Sequence, residues 1–196
     1  MERLQQDFFA RDTLTVARDL LGKHLVRVTD GVPTALRITE TEAYIGRMDK
    51  ACHAYGYKRT KRTETLFAPP GTVYIYLIYG MYACLNLVTE AEGEPAAVLI
   101  RAGEPVSPAD ADRAAQARFG CSPQEMTPYQ RKNFLNGPGK LCKALSLTTA
   151  QNGLSLLGEE IYVMDAGEHP QEIYTSKRIG IDYAEEAVDF PWRFYL

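Results

Sequence analysis

Hydrophobic positions along the chain follow two periods. In residues 5–22, Leu14, Ala17, Leu20 and Leu21 recur at helical spacing. This predicts one or two helices, with Thr13 as N-cap and Gly22 as the stop. From Lys23 the period changes to two. Lys23 to Thr29 (KHLVRVT) and Thr34 to Tyr44 (TALRITETEAY) read as strands joined through Asp30-Gly31. Asp-Gly between such runs signals a hairpin, although Pro33 weakens the case for a tight two-residue turn. Gly46 to Pro70 is long, polar and aperiodic, as functional or mobile loops are. Gly71 to Leu77 (GTVYIYL) and Tyr82 to Val88 (YACLNLV) predict two strands connected at Ile78 to Met81, and Ala96 to Arg101 (AAVLIR) another. Helical character returns at 108–118 and 123–134. Asn136-Gly137-Pro138-Gly139 then breaks the chain before a short helix at Lys140 to Leu145. Further strands are expected near Ile161 to Met164, Arg178 to Ile181 and Arg193 to Leu196. Strands in runs, with helices at both ends and between, predict an α+β class. The expectation is a single domain, residues 1–196, around a curved, mostly antiparallel β-sheet flanked by helices.

Composition bounds this picture. A chain of 196 residues, 45% hydrophobic and 24% charged, has the make-up of a soluble globular domain with a full core. The longest apolar stretch, Val73 to Val88, is too short for a membrane helix and holds four tyrosines, a glycine and an asparagine. No membrane role is expected. Cys52, Cys84, Cys121 and Cys142 form no C-x-x-C pair, and no His/Cys cluster has zinc spacing. With no secretory signature at the start, the expectation is reduced thiols, no metal and a cytoplasmic location.

The formal net charge of −3 argues weakly against nucleic acid, but the charge is segregated. Lys58, Arg59, Lys61 and Arg62 form one basic cluster. Arg131, Lys132, Lys140 and Lys143 form a second, and Lys177 with Arg178 a third. Acids gather at Glu90 to Glu94, Glu159 to Asp165 and Asp182 to Asp189. Each basic cluster is either a solvated surface or local positive charge beside a cleft.

Several residues could carry chemistry. In Glu40-Thr41-Glu42-Ala43-Tyr44 two glutamates alternate onto one face of a strand end. They are either the wet face of an edge strand or a buried, functional pair. Tyr74 and Tyr76 share a face as well, which suits core packing or a base pocket. Tyr79, Met81 and Tyr82 fall at a hairpin tip, where aromatic and thioether side chains are harder to explain by packing and resemble wedges that enter a base stack. Asn86 interrupts an apolar strand, either to satisfy local backbone or to read a base edge. Arg101 ends a strand and could lie beside Glu42. His53 sits in a loop, where most histidines are surface residues.

The strings ETEAYIG, GTVYIYLIYGMYACLN, VLIRAGEP and NGPGKLCKAL closely resemble the 3-methyladenine (alkyladenine) DNA glycosylases of the mammalian alkylpurine type. The resemblance runs from DFFARDTLTVARDLLGKHLVR near the start to RIGI and WRFY near the end. It implies that Glu42 is the general base that activates a water, with Arg101 beside that water. It implies a base pocket in which Tyr44, Tyr76 and His53 face the flipped base and Asn86 crowds the purine 2-position. The backbone carbonyl of Ile181 would also hold the water. A protruding hairpin would insert Tyr79 into DNA with Met81 in support. Lys140, in NGPGK, would approach the DNA backbone, as would Lys58, Arg59, Lys61 and Arg62. Family members commonly continue past the RFY motif, which leaves the pairing of the last strand here open.

The resemblance further implies base-excision repair. A damaged purine, alkylated or deaminated as in hypoxanthine, is flipped from duplex DNA and its N-glycosidic bond hydrolysed. The expected enzyme is monofunctional, without lyase activity or cofactor. Its partner is double-stranded DNA containing damaged purines, with no obligate protein partner, in a cytoplasmic, nucleoid-associated setting. Two other readings of the same residues are a non-catalytic nucleic-acid-binding module and a small-molecule nucleosidase.

Overall fold

The computed structural model describes all residues from Met1 to Leu196. In chain order the elements are β1 (Glu2–Arg3), α1 (Gln6–Phe9), α2 (Thr13–Asp19), β2 (His24–Thr29), β3 (Val32–Ile45), β4 (Val73–Ile78), β5 (Tyr82–Val88) and β6 (Ala96–Pro105). Then follow α3 (Pro108–Phe119), α4 (Pro128–Lys132), α5 (Pro138–Ala144), β7 (Ile161–Asp165), β8 (Tyr174–Ser176) and β9 (Arg193–Tyr195). The strands pair antiparallel in the order β1-β7-β2-β3-β6-β5-β4, and β9 joins β3 to β8. The α+β architecture with a mostly antiparallel sheet is as expected from the sequence.

β3 is the organising strand. Its first half pairs with β2, and its second half, at Glu40–Glu42, takes β9 instead. β6 runs along its other side. The Asp30-Gly31 turn is tight after all: Thr29 pairs with Val32, and both turn residues are left-handed, at φ 50° and 78°. Pro33 is accommodated within β3. The β3–β6 ladder slips twice. Glu40 is opposite Ala102 and Thr41 opposite Ile100, so Arg101 has no register partner. Such bulges bend a strand and re-aim side chains.

Alternation then divides the sheet into two faces. Ala43, Val73, Ile75, Leu85, Leu87, Val98 and Ile100 point into the main core, which buries α2 and α5 through Val16, Ala17, Leu20 and Leu141. At roughly 25 cal/mol per Å² of apolar surface, burying each such side chain contributes about 1.5–3 kcal/mol. Thr41 faces the same side and donates to the Ala17 carbonyl at 2.7 Å. The opposite face carries Glu42, Tyr44, Tyr74, Tyr76, Asn86, Leu99 and Arg101. Two irregular segments cover it. Residues 46–70 pack through Cys52, Ala54, Leu66 and Phe67, and the C-terminal segment packs through Ile181, Ala184 and Ala187.

Several sequence expectations are corrected. Asp12, not Thr13, caps α2, accepting from Thr15 N at 3.0 Å. The Thr13 hydroxyl is buried and donates to Glu90 at 2.6 Å. The helix expected over 123–134 shrinks to α4, closed by a capping box between Thr127 and Gln130. α5 starts at Pro138, since proline suits a first helical turn. No strand forms over Arg178–Ile181, because Arg178 turns inward. A short strand lies earlier, at Tyr174–Ser176. The last strand pairs with both β3 and β8.

Candidate active site

Glu42 is wholly buried on the pocket face of β3. Ionised, it would cost far more than the fold could bear without partners, and it has three. Tyr44, two residues along the same strand, donates its hydroxyl to Oε2 at 2.7 Å. The Ile179 backbone N–H donates to Oε1 at 2.9 Å, and Arg101 Nη1 lies 3.4 Å from Oε1. Burial still dominates and raises the Glu42 pKa above the usual carboxylate range, against the lowering pull of Arg101, Tyr44 and Ile179. The Tyr44 hydroxyl is held far from ionisation by burial and by the charge of Glu42.

Arg101 binds both glutamates. Its Nε donates to Glu40 at 2.9 Å while Nη1 faces Glu42. Burial opposes its charge, but the two carboxylates and the Glu40 hydrogen bond outweigh burial and keep it firmly protonated. The bulge at Arg101 is the local cause of this geometry. The two glutamates share a face as the alternation predicts, and they are neither a wet edge nor unpaired.

A cavity of about 350 Å³ opens beside this cluster, with Tyr44, Arg101 and Ile179 standing between it and Glu42, within the roughly 300–1,000 Å³ typical of small-molecule sites. Tyr44, His53, Tyr76, Asn86, Arg101 and Ile181 all line it. His53 and Tyr76 meet edge to face with ring centroids 4.5 Å apart. His53 Nδ1 lies 3.1 Å from the Tyr74 hydroxyl, and Nε2 lies 3.3 Å from Arg62 Nη2. Guanidinium only donates, so Nε2 accepts and Nδ1 carries the proton. Burial, helped by Arg62, lowers the His53 pKa to about 4, so the ring is neutral at physiological pH. Asn86 donates its amide nitrogen to the Tyr74 and Cys84 carbonyls, both at 3.2 Å. Two acceptors at one end fix the amide orientation and leave Oδ1 as an acceptor. No three His, Cys, Asp or Glu side chains converge as a metal site, and no helix is long and apolar enough to cross a membrane.

A model of the methylpurine-DNA glycosylase (MPG) family matches residues 7–196. The chain belongs to that family. It is 54% identical over 197 residues to a protein of Clostridium perfringens (strain SM101 / Type A), covering 99% of this chain and 95% of that protein. It is 51% identical over 194 residues to a protein of Alkaliphilus oremlandii, covering 99% and 95%. A protein of Desulfitobacterium hafniense is 50% identical over 196 residues, covering 100% and 96%. Each of the three bears the name "Putative 3-methyladenine DNA glycosylase".

In this methylpurine-DNA glycosylase family member the β4–β5 hairpin stands beside the cavity. Ile78 pairs with Tyr82, and Met81 N donates to the Ile78 carbonyl at 3.1 Å. Tyr79 and Gly80 both have positive φ, 53° and 70°. Left-handed backbone at the turn suits Asn or Gly rather than tyrosine. Holding Tyr79 there costs about 1–3 kcal/mol. Tyr79 is 86% exposed and Met81 67%, so packing does not compensate. α5 abuts the hairpin where Gly139 approaches Tyr82 so closely that a Cβ would lie 3.1 Å from the Tyr82 Cβ.

The basic residues separate. Lys58 and Lys61 are exposed, and Arg59 pairs with Glu64 at 2.6 Å on the surface. Arg62 instead leans over the Tyr76 ring, 5.3 Å from its centroid, and against His53. Lys140 is half-buried, its ammonium between Asn133 Oδ1 at 2.8 Å and Asn136 Oδ1 at 2.9 Å. Lys177 pairs with Asp189, and Arg178 is buried against Asp49, so the third basic cluster offers no free positive patch. Ile181 borders the cavity, but its carbonyl accepts from Ala184 N at 2.9 Å. The backbone group that reaches Glu42 belongs to Ile179, an apolar residue whose N–H leaves no trace in the sequence.

Proposed function

We propose that the chain is a base-excision repair DNA glycosylase that hydrolyses the N-glycosidic bond of damaged purines flipped out of duplex DNA. One observation carries this reading: a buried carboxylate, Glu42, is held by Tyr44, Arg101 and Ile179, three residues that line an aromatic-walled cavity beside an exposed tyrosine hairpin. A nucleotide enters such a cavity only once it is extruded.

In this reading Glu42 orients a water and takes its proton as the oxygen attacks C1′. The C1′–N bond breaks, and its electron pair leaves with the purine. An alkylated, cationic purine departs neutral and needs no acid for that step. The raised Glu42 pKa makes the carboxylate a better base near neutrality, and its charge favours the oxocarbenium-like state. Arg101 fixes the carboxylate and flanks the water, and Ile181 closes the same side. Tyr44, Tyr76 and His53 face the base, each good contact with a cationic purine contributing about 0.5–2 kcal/mol. A neutral His53 adds no repulsion. Asn86 crowds the purine 2-position and so disfavours guanine.

Tyr79, backed by Met81, fills the gap left in the duplex. Lys58, Arg59, Lys61, Arg62 and Lys140 approach phosphates, Arg62 also serving as a pocket wall. The enzyme is monofunctional, and borohydride should trap no protein–DNA adduct. It works on cytoplasmic, nucleoid DNA, without a cofactor or an obligate protein partner.

The test is single-turnover release from duplexes carrying 7-methylguanine, 3-methyladenine, hypoxanthine or ethenoadenine, beside the free alkylated nucleosides. Release from duplex but not from nucleoside supports the reading. Equal release from nucleosides would make the protein a nucleosidase, and damaged-DNA binding without release a non-catalytic module.

A further inference from the structure

One ion pair is buried completely and lies beside Glu42 without touching it. The side chains of Arg178 and Asp49 are both 0% exposed. Two parallel bonds join them, at 2.5 and 2.8 Å. The guanidinium also donates to the Ala43 carbonyl at 2.8 Å and the Ala187 carbonyl at 3.1 Å. It faces the Tyr44 ring at 4.7 Å and the Trp192 ring at 5.1 Å. Asp49 accepts in turn from Ala51 N at 2.9 Å and Ile45 N at 3.3 Å. The pair therefore ties β3 between Glu42 and Tyr44 to the 46–53 loop and to the C-terminal segment. The residue after Arg178 is Ile179, whose N–H meets Glu42.

Stability alone does not account for this arrangement. Buried pairs are often replaced by apolar side chains with no loss, and sometimes with a gain. What an arginine–carboxylate fork supplies that an apolar contact does not is direction. The Ile179 side chain is itself half exposed, so its backbone takes its place from Arg178.

We propose that Arg178 and Asp49 are positioning residues for Glu42: the fork sets the Ile179 N–H and the Tyr44 ring against the carboxylate. This inference rests on Glu42 being the general base. Loss of the fork frees the Ile179 N–H, and Glu42 loses a hydrogen bond that favours its charged form. The Tyr44 ring loses its packing against the guanidinium, while the neighbours that the fork does not touch stay in place: Glu40 on β3, Arg101 on β6, Cys84 on β5, Tyr76 on β4 and Arg193 on β9.

The experiment is single-turnover release of 7-methylguanine from duplex DNA across pH 5–8, with thermal melting to establish folding. Arg178→Lys keeps the charge but not the fork. The double variant Arg178→Met/Asp49→Asn removes both charges and keeps an acceptor for Ala51 N–H. Either folded variant should release base about tenfold to a hundredfold more slowly at neutral pH. Its acidic limb should move to higher pH, and binding to the abasic product should stay within about threefold. A folded variant with the wild-type rate and limb overturns the proposal, since a purely structural pair would shift melting alone. Glu42→Gln runs alongside. If that variant releases base normally, the general-base reading fails, an outcome distinct from failure of the fork.

Discussion

The floor of the cavity and the hairpin beside it obey opposite rules. Behind the floor, Glu42, Asp49 and Arg178 are sealed from water and hydrogen-bonded within the chain, Arg178 through both Nη atoms. At the hairpin, Tyr79 and Met81 stand in solvent, and Tyr79 holds a backbone conformation that tyrosine disfavours. Glu40, Glu42 and Arg101 show how the floor is set before any substrate arrives. Its dipoles and charges are fixed by β3, β6 and the C-terminal segment, which is what electrostatic preorganisation requires. At the hairpin tip, strain and exposure have no such compensation inside the protein.

Glu42→Gln should lower single-turnover base release by roughly 10²–10⁴-fold while damaged duplex still binds. The same change should raise the melting temperature at neutral pH. The sign follows from burial. The folded-state pKa lies above the ordinary value, so the group's stabilising contribution is full below the unfolded pKa and is lost as pH rises through the folded one. At neutral pH the ionised carboxylate opposes folding, and a neutral amide removes that penalty. A slower but less stable variant would mean that Glu42 is chiefly structural.

Tyr79→Ala is the next largest effect. Loss of one aromatic stack is worth about 1–3 kcal/mol, so release from duplex should fall roughly 5- to 100-fold with melting unchanged. Release from a lesion opposite an unpaired gap should fall less, because less extrusion work remains. Equal losses on both substrates would move Tyr79 from the hairpin's role to the floor's.

The two regions were not equally legible in the sequence. Period-two alternation is a local property, and it put Glu42 with Glu40, and Tyr74 with Tyr76, on common faces. The hairpin tip was legible for the same reason, since Tyr79, Gly80 and Met81 interrupt two clean strands. The support beneath Glu42 was not. Arg178 follows Lys177 and reads as surface charge, while its partner Asp49 is 129 residues away. RIGI alternates like a strand, yet burial of the arginine overrides that pattern. Arg62 read as one of four loop cations, and only packing against Tyr76 and His53 separates it from Lys61. The Arg101 bulge needs β3 and β6 in register before it exists at all.

Release should decline as pH falls through the raised Glu42 pKa. His53 should add nothing to that limb until about pH 4. His53 does affect stability. Its folded pKa is depressed, so its contribution is present above the unfolded value near 6.5 and is lost as pH falls toward 4. An activity limb that moves when His53 is replaced by Asn would place the histidine in the proton transfer.

The smallest effect separates two neighbours in one loop. Lys61 is exposed, so Lys61→Ala should weaken duplex binding a few-fold, equally for damaged and undamaged DNA. The slope of log K against log salt should fall in magnitude by about 0.9, one released counterion. Arg62→Ala also removes one positive charge, but from over Tyr76 and beside His53. It should reduce discrimination between damaged and normal bases by more than it reduces binding to undamaged duplex. If Arg62→Ala gave the same uniform loss and slope change as Lys61→Ala, Arg62 would act as a phosphate contact alone. The boundary between pocket and DNA surface would then lie at His53 rather than one side chain further out.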